Sequence, residues 1–208
     1  MTEAMLVLAG VGRRFGSRVV VSAFDLVLRK RDRVALCGPN GSGKTTILRC
    51  AAGTLIPTEG SVLVAGHRAG TLSARRNVGV SLSQDRSFYL RLSGRENLLF
   101  FAGVRGFRRR EAKSLVQTLE EELSLSSILE ERVARCSTGM IQQLSFARAL
   151  IGDPPVLLLD EPTRSLDTAA SRRFWEALDS RPDVALLIAT HRDDDLAHVH
   201  SSISLTDP

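Results

Sequence analysis

The sequence has few cysteines and no long apolar run, and each of these shortages excludes certain classes of protein. Its three cysteines form no Cys-x-x-Cys pair, which excludes a disulfide-stapled mini-protein and gives little support to a structural zinc site. No stretch approaches the roughly 20 apolar residues that span a bilayer. The chain has only 16 Gly and 7 Pro, which is too few for a collagen-like protein. Its hydrophobic content of 43% excludes bulk disorder. A chain of 208 residues is therefore expected to form one domain, or one domain with a sub-lobe.

Lysine is also scarce, although the chain is basic. Basic residues outnumber acidic ones by 28 to 23, and Lys30, Lys44 and Lys113 are the only lysines among them. The resulting net charge of +5 keeps a nucleic-acid partner open at this stage. Met1–Gly10 has neither a basic region nor a long apolar run, so we expect no signal peptide. The cysteines are then expected to be reduced cytosolic thiols.

Strand-like and helix-like segments alternate along the chain. The predicted strands are Met5–Val11, Val19–Leu28 (half-buried through Ala23, Leu26 and Leu28), Arg33–Cys37, Ser61–Ala65, Val78–Ser83, Val156–Asp160, Ala185–Thr190 and Ser202–Leu205. The predicted helices are Thr45–Ala52, one from a capping box at Ser93 and Glu96 to about Ala102, Glu111–Leu123, Ala169–Leu178 and one near Asp194–Ala197. This alternation predicts an α/β fold with a largely parallel core sheet, and residues 85–150 are predicted to form an inserted helical lobe.

A phosphate-binding loop is the strongest motif. Gly38-Pro39-Asn40-Gly41-Ser42-Gly43-Lys44-Thr45 fits G-x-x-x-x-G-K-[ST] between a predicted strand and a predicted helix. Glycines let backbone N–H groups converge on phosphate oxygens, and the helix N-terminus adds positive partial charge. Lys44 can reach the terminal phosphates, and the Thr45 hydroxyl can bind Mg²⁺. The motif therefore predicts binding of a nucleoside triphosphate with Mg²⁺.

Two acids follow a second apolar strand, Val156–Leu159. Asp160 can lie near Mg²⁺, directly or through water, if its strand ends beside the phosphate loop. Glu161 would then project toward the γ-phosphate, where it could position or deprotonate a water. The pair alone would favour a solvated turn, but together with the loop it predicts a hydrolytic site.

These motifs closely resemble the nucleotide-binding subunits of ATP-binding cassette (ABC) transporters, along essentially the whole chain. The loop through Thr46 reads GPNGSGKTT, a form typical of that family. The resemblance implies the P-loop NTPase fold of ABC ATPases: a mostly parallel core sheet, an N-terminal antiparallel β part and an inserted helical lobe in a single domain, 1–208. It also implies a role for each of the following residues: Phe15 stacks on adenine, Gln84 contacts Mg²⁺ and senses the γ-phosphate, Asp160 is linked to Mg²⁺, Glu161 is catalytic, Ser165-Leu166-Asp167 crosses a dimer interface, and His191 is the switch histidine.

The family signature Leu-Ser-Gly-Gly-Gln departs here to Cys136-Ser137-Thr138-Gly139-Met140. The variant resembles the ABC-2-type exporter branch. Ser137, Thr138, Gly139 and Met140 are then expected to cap the γ-phosphate of ATP held by a second, identical or different, cassette. An ordinary helix N-cap is the alternative for this segment alone.

The resemblance also implies partners. A separate polytopic membrane subunit is expected, which would hold the chain in the cytoplasm at the inner face of the membrane. Residues 86–98 resemble the region that contacts that subunit, although Phe88, Tyr89, Phe100 and Phe101 are expected in the core by composition. The chain ends soon after the switch histidine, so we expect no extra C-terminal domain.

Other classes of function stay open on the sequence. One is a haem- or cytochrome-maturation exporter ATPase, and another is a soluble non-transport ABC ATPase acting on nucleic acid or ribosomes. A nucleotide or small-molecule kinase is a third. The soluble class usually carries paired cassettes, zinc modules or coiled coils that this sequence lacks, so we expect no nucleic-acid partner.

Overall fold

A computed structural model describes residues 3–82 and 87–205. The strands are β1 (Ala4–Phe15), β2 (Arg18–Arg29), β3 (Arg33–Cys37), β4 (Glu59–Val64), β5 (His67–Arg68), β6 (Val78–Ser81), β7 (Val156–Asp160), β8 (Ala185–Ala189) and β9 (Ser201–Ser204). The α-helices are α1 (Lys44–Ala51), α2 (Leu72–Arg76), α3 (Gly94–Val104), α4 (Arg109–Leu123), α5 (Ser126–Glu130), α6 (Thr138–Leu150), α7 (Thr168–Asp179) and α8 (Asp193–Leu196). The chain divides into two compact units, Met1–Val78 with Pro155–Glu161 and Asp183–Pro208, and Gly79–Pro154 with Pro162–Pro182.

The first unit contains an antiparallel sheet with strand order β2-β1-β4-β5. Leu6 and Leu8 of β1 pair with Leu28 and Leu26 of β2, and all four are buried because alternate residues of a strand share one face. The predicted burial of Ala23 is wrong. Its φ is 45°, its side chain is exposed, and the register with β1 shifts at this point, as in a β-bulge.

The first unit also contains a parallel sheet, in which β7, β8, β3 and β9 lie in this order. Every residue of β7 and β8 is buried, which explains why both are apolar apart from Asp160 at the end of β7. Asp160 pairs with Ala189, and Leu36 pairs with Ala189 from the other side. The carboxyl ends of β3, β7 and β8 therefore meet at one edge of the sheet, where ligands bind in open α/β sheets.

The second unit is helical. At the start of α3, Glu96 N donates to Ser93 Oγ at 3.1 Å and Ser93 N donates to Glu96 Oε2 at 2.8 Å, which confirms the predicted capping box. Arg95 donates to both carboxylate oxygens of Glu120 at 2.9 Å, so α3 is joined to α4. These hydrogen bonds hold the pKa of Glu120 below its usual range. In the core of this unit, the ring centres of Phe146 and Phe174 lie 4.2 Å apart.

The aromatic residues of the second unit depart from expectation. Phe88 is buried and Phe101 is half-buried, but Tyr89 is 50% exposed and Phe100 is 43% exposed. The Tyr89 and Phe100 rings meet edge to face at 4.8 Å, so they form a paired aromatic surface rather than part of the core. The prediction that all four rings are internal is therefore wrong for this pair.

None of the helices within residues 3–82 and 87–205 is long and apolar enough to cross a membrane.

Candidate nucleotide-binding and catalytic site

The phosphate loop connects β3 to α1, as predicted. Gly43 stands at the N-cap of α1 with φ 95°, and a Cβ at this position would lie 2.8 Å from Val20 O. At Gly38, with φ 142°, a Cβ would lie 2.5 Å from Leu205 O. Only glycine fits these two positions, because a side chain would meet both an unfavourable backbone angle and a neighbouring carbonyl group.

Lys44 is 8% exposed and lies across the loop that precedes it. Its Nζ donates to Gly38 O at 2.7 Å and to Pro39 O at 2.9 Å. Ser42 Oγ is buried and has no hydrogen-bond partner among the described residues. The loop thus places an ammonium group and an unsatisfied hydroxyl beside a helix N-terminus that no described side chain caps. This combination of groups fits an anion such as a polyphosphate.

Thr45 and Asp160 meet at the edge of the parallel sheet. Thr45 Oγ1 donates to Asp160 Oδ2 at 2.8 Å, and Asp160 is only 2% exposed. A hydroxyl and a carboxylate are oxygen ligands of the kind that Mg²⁺ takes, usually together with phosphate oxygens and water. Thr46 follows in α1 and is half-buried. The described residues contain no cluster of three or more His, Cys, Asp or Glu side chains that could hold a metal by themselves.

Glu161 leaves the end of β7 in a strained conformation. Its φ is 49°, and its backbone N donates to Ala189 O at 2.8 Å. Glu161 Oε1 lies 2.7 Å from Nδ1 of His191, the second residue after the end of β8. Glu161 Oε2 is buried without a partner among the described residues. The sheet therefore brings the predicted catalytic carboxylate and the predicted switch histidine into contact.

Phe15 ends β1 in the same unit. Its ring is 49% exposed, and the Arg13 guanidinium lies 4.6 Å from the ring centre. An exposed aromatic face of this kind suits the predicted stacking on a base. Gln84, the other predicted nucleotide sensor, lies outside the described residues.

The signature segment belongs to the second unit. Ser137 is the N-cap of α6: Met140 N donates to its Oγ at 3.2 Å, and Met140 Sδ accepts from Ser137 N at 3.5 Å. A Cβ on Gly139 would lie 2.5 Å from Ser165 O, so the signature packs on the predicted interface segment.

The other predicted residues of the second unit lie at helix starts. Asp167 Oδ1 accepts from Ala170 N at 2.8 Å and caps α7. Thr138 is exposed at the first position of α6.

Sequence reasoning did not single out Thr190 and Asp195, which flank His191. Both are fully buried and hydrogen-bonded to each other at 2.6 Å. A threonine that closes an apolar strand, followed five residues later by an acid within a helical turn, is the signal that could have found them.

Comparisons with known proteins identify the family of the chain. The profile of the ABC transporter family matches residues 21–164. The chain belongs to this family. The resemblance inferred from the sequence is thereby confirmed. Among curated ABC relatives, the chain is 38% identical over 180 residues to the Nod factor export ATP-binding protein I of Rhizobium sp. (strain N33), covering 86% of this chain and 59% of that protein. It is 34% identical over 195 residues to the ABC transporter ATP-binding protein NatA of Bacillus subtilis (strain 168), covering 90% and 79%.

Solved ABC structures confirm the α/β fold. An ATP-binding subunit of an ABC transporter superposes with a TM-score of 0.88 at 24% identity, covering 98% of this chain and 86% of that one. A dimeric ATP-binding cassette in a post-hydrolysis state bound to ADP and Pi superposes with a TM-score of 0.86 at 22% identity, covering 98% and 95%.

Proposed function

We propose that the chain binds and hydrolyses ATP as the nucleotide-binding subunit of an ABC transporter, and that this transporter is an exporter. One observation carries the proposal: the carboxyl edge of the parallel sheet joins the phosphate loop, the Thr45–Asp160 pair and the Glu161–His191 pair. Residues 1–208 would act as one cassette, with 85–150 as its inserted helical subdomain.

ATP binding would rest on the loop and on Phe15. Lys44 now donates to two carbonyl groups of its own loop, and phosphate oxygens would replace these neutral acceptors with charged ones. The unsatisfied Ser42 hydroxyl supports the same reading, because a buried hydroxyl without a partner is destabilising. The remaining loop residues in contact with nucleotide would be Gly38, Pro39, Asn40, Gly41, Gly43, Thr45 and Thr46.

The donor set at the sheet edge fits Mg²⁺. Thr45, Asp160 and Gln84 would hold the ion, Asp160 directly or through water. Bound Mg²⁺ would supply neutralisation of the negative charge on the phosphate oxygens.

Hydrolysis would depend on Glu161 and His191. The Glu161 carboxylate has one oxygen on His191 and one buried oxygen without a partner, and the second is suited to orient a water or accept its proton. His191 would hold the carboxylate in place through Nδ1 and lie near the γ-phosphate. Positioning and charge stabilisation supply most of the rate enhancement in reactions of this class.

A second cassette, identical or different, would complete the site. Ser137, Thr138, Gly139 and Met140 head a helix of 13 residues, whose N-terminus favours an anion. Gly139 has no room for a side chain against Ser165 O, which supports a fixed backbone at this point. We propose that this segment caps ATP held by the partner cassette and that Asp167 lies at the interface.

Export and the membrane partner are the finer part of the proposal. The relatives at 34–38% identity are named as a Nod factor export protein and NatA, but the chain spans only 59% of the former. The exposed Tyr89–Phe100 pair and the neighbouring Leu90, 59% exposed, support contact with a separate membrane subunit. The chain would then lie at the cytoplasmic face of the membrane.

An ATP-binding measurement on Lys44→Ala tests the nucleotide site. We expect Mg²⁺-ATP affinity to fall by about 10- to 100-fold, because a charge-assisted contact to phosphate is lost. Lys30→Ala is the matched control, since this exposed lysine lies outside the site and should bind ATP as the wild type does. Equal affinity of Lys44→Ala and the wild type would contradict the proposed site.

A further inference from the structure

The turn that carries His191 is held by a buried hydrogen-bonded pair. Thr190 and Asp195 are both 0% exposed, and Thr190 Oγ1 donates to Asp195 Oδ2 at 2.6 Å. A buried carboxylate is costly unless hydrogen bonds satisfy it, so the bond from Thr190 stabilises this turn. Both residues lie outside the nucleotide and Mg²⁺ contacts proposed above.

Thr190 fixes the chain on both sides of His191, through its hydroxyl and through its backbone N–H. Besides donating to Asp195, its Oγ1 accepts from Arg192 N at 3.1 Å. On the other side, Thr190 N donates to Leu36 O at 3.3 Å, which ties the turn to β3. The residues before and after His191 are therefore both fixed through Thr190.

Asp195 closes the turn from its far end. Its backbone N donates to Arg192 O at 3.1 Å, and its own carbonyl accepts from His198 N at 3.1 Å. The carboxylate then returns to Thr190, so residues 190–195 form a closed loop of hydrogen bonds. His191 projects from this loop with its side chain 60% exposed, and its Nδ1 reaches Glu161 Oε1 at 2.7 Å.

We propose that Thr190 and Asp195 are positioning residues, which fix the backbone of His191 so that its ring meets Glu161 during hydrolysis. This inference rests on the proposed ATPase function. None of the hydrogen bonds just described involves an atom of the phosphate loop. Loss of the pair should therefore lower kcat and leave the KM for ATP nearly unchanged.

The test compares steady-state ATP hydrolysis by Thr190→Val and Thr190→Ser. Valine keeps the branched shape but removes the hydroxyl, and we expect kcat to fall about tenfold because small misplacements of catalytic groups are costly. Serine restores the hydroxyl and should restore most of kcat. Thr71→Val is the matched control: its hydroxyl also donates to a carbonyl, Arg68 O at 2.8 Å, and accepts from a backbone N–H, Ala74 N at 3.3 Å. It should leave kcat unchanged.

Combination with His191→Ala separates positioning from a general loss of structure. If Thr190 acts through His191, Thr190→Val should cause no further loss in the His191→Ala background. A kcat of Thr190→Val equal to that of the wild type, a rise in KM without a fall in kcat, or a full tenfold further loss without His191 would each overturn the inference. Absence of ATP hydrolysis by the wild type would instead refute the proposed function.

Asp195→Asn tests the positioning role of the Thr190–Asp195 pair if Thr190→Val does not fold. Asparagine keeps an acceptor oxygen of similar size but removes the charge, which weakens the hydrogen bond from Thr190. We expect kcat about threefold below the wild type, again with unchanged KM. A kcat equal to that of the wild type would overturn the inference.

Discussion

Substitution of Gly43 by alanine tests the construction of the phosphate loop without reference to nucleotide. Gly41 and Gly43 have almost the same φ, 93° and 95°, but different surroundings. A Cβ on Gly41 would meet nothing within 4 Å, whereas a Cβ on Gly43 would lie 2.8 Å from Val20 O and 3.0 Å from Val21 Cγ2. The pair therefore separates the cost of the backbone angle from the cost of the contact.

The magnitudes follow from these two surroundings. Gly41→Ala should lower the free energy of unfolding by about 1–2 kcal/mol, the usual cost of a left-handed backbone for a residue with a side chain. Gly43→Ala bears the same cost and in addition must displace a backbone carbonyl of β2, for which overpacking costs about 1–3 kcal/mol more. For a chain of this size, each kcal/mol lowers Tm by about 2–4 °C.

The assay is thermal unfolding of both variants and the wild type, followed by circular dichroism in the absence of nucleotide. We expect the lowest Tm for Gly43→Ala, an intermediate value for Gly41→Ala and the highest for the wild type. Equal Tm values for the two variants would refute the claim that packing against Val20 holds the N-terminus of α1 in place.

Two further predictions concern the second unit. Ser93→Ala should lower the free energy of unfolding by about 1 kcal/mol, because Glu96 N loses its hydrogen-bond partner. Chemical denaturation measures this difference, with Ser93→Thr as the control that keeps a hydroxyl. Equal stability of Ser93→Ala and the wild type would contradict the proposed role of the cap. Replacement of Tyr89 and Phe100 together by serine should reduce retention on membranes that contain the proposed membrane subunit, measured by co-sedimentation, because it removes the paired aromatic surface. Leu72→Ser, which changes an even more exposed apolar side chain of the first unit, should not do so, and an equal loss from both would argue against a docking role for the aromatic pair.

The parts of the fold that were predictable from the sequence are those with strong local patterns. The bounds of β3 and β7 agree with prediction, because each is a short apolar strand that ends in residues of a different kind. The capping box at Ser93 was predictable because both partners lie within four residues. The contact between Glu161 and His191 follows from two predicted strands that end at the same edge of a parallel sheet.

Other features depend on contacts that a sequence pattern does not contain. The bulge at Ala23 arises from its register with another strand, and the exposure of Tyr89 depends on which face of its segment is covered. The short strand β5 and the helices α2 and α5 span five residues or fewer, too few for a periodic pattern. The Thr190–Asp195 pair was missed because each residue alone is typical of an exposed turn.

Hydrolysis by Glu161→Gln is the most direct test of the central claim that this chain is an ATPase whose Glu161 carboxylate acts on the attacking water. Glutamine keeps the size of the side chain, but its amide cannot act as a base near neutral pH. We expect phosphate release to fall at least about 100-fold, Mg²⁺-ATP still to bind, and an ATP-bound dimer to accumulate in size-exclusion chromatography. Near-normal phosphate release by Glu161→Gln, beside an active wild type, would contradict this claim.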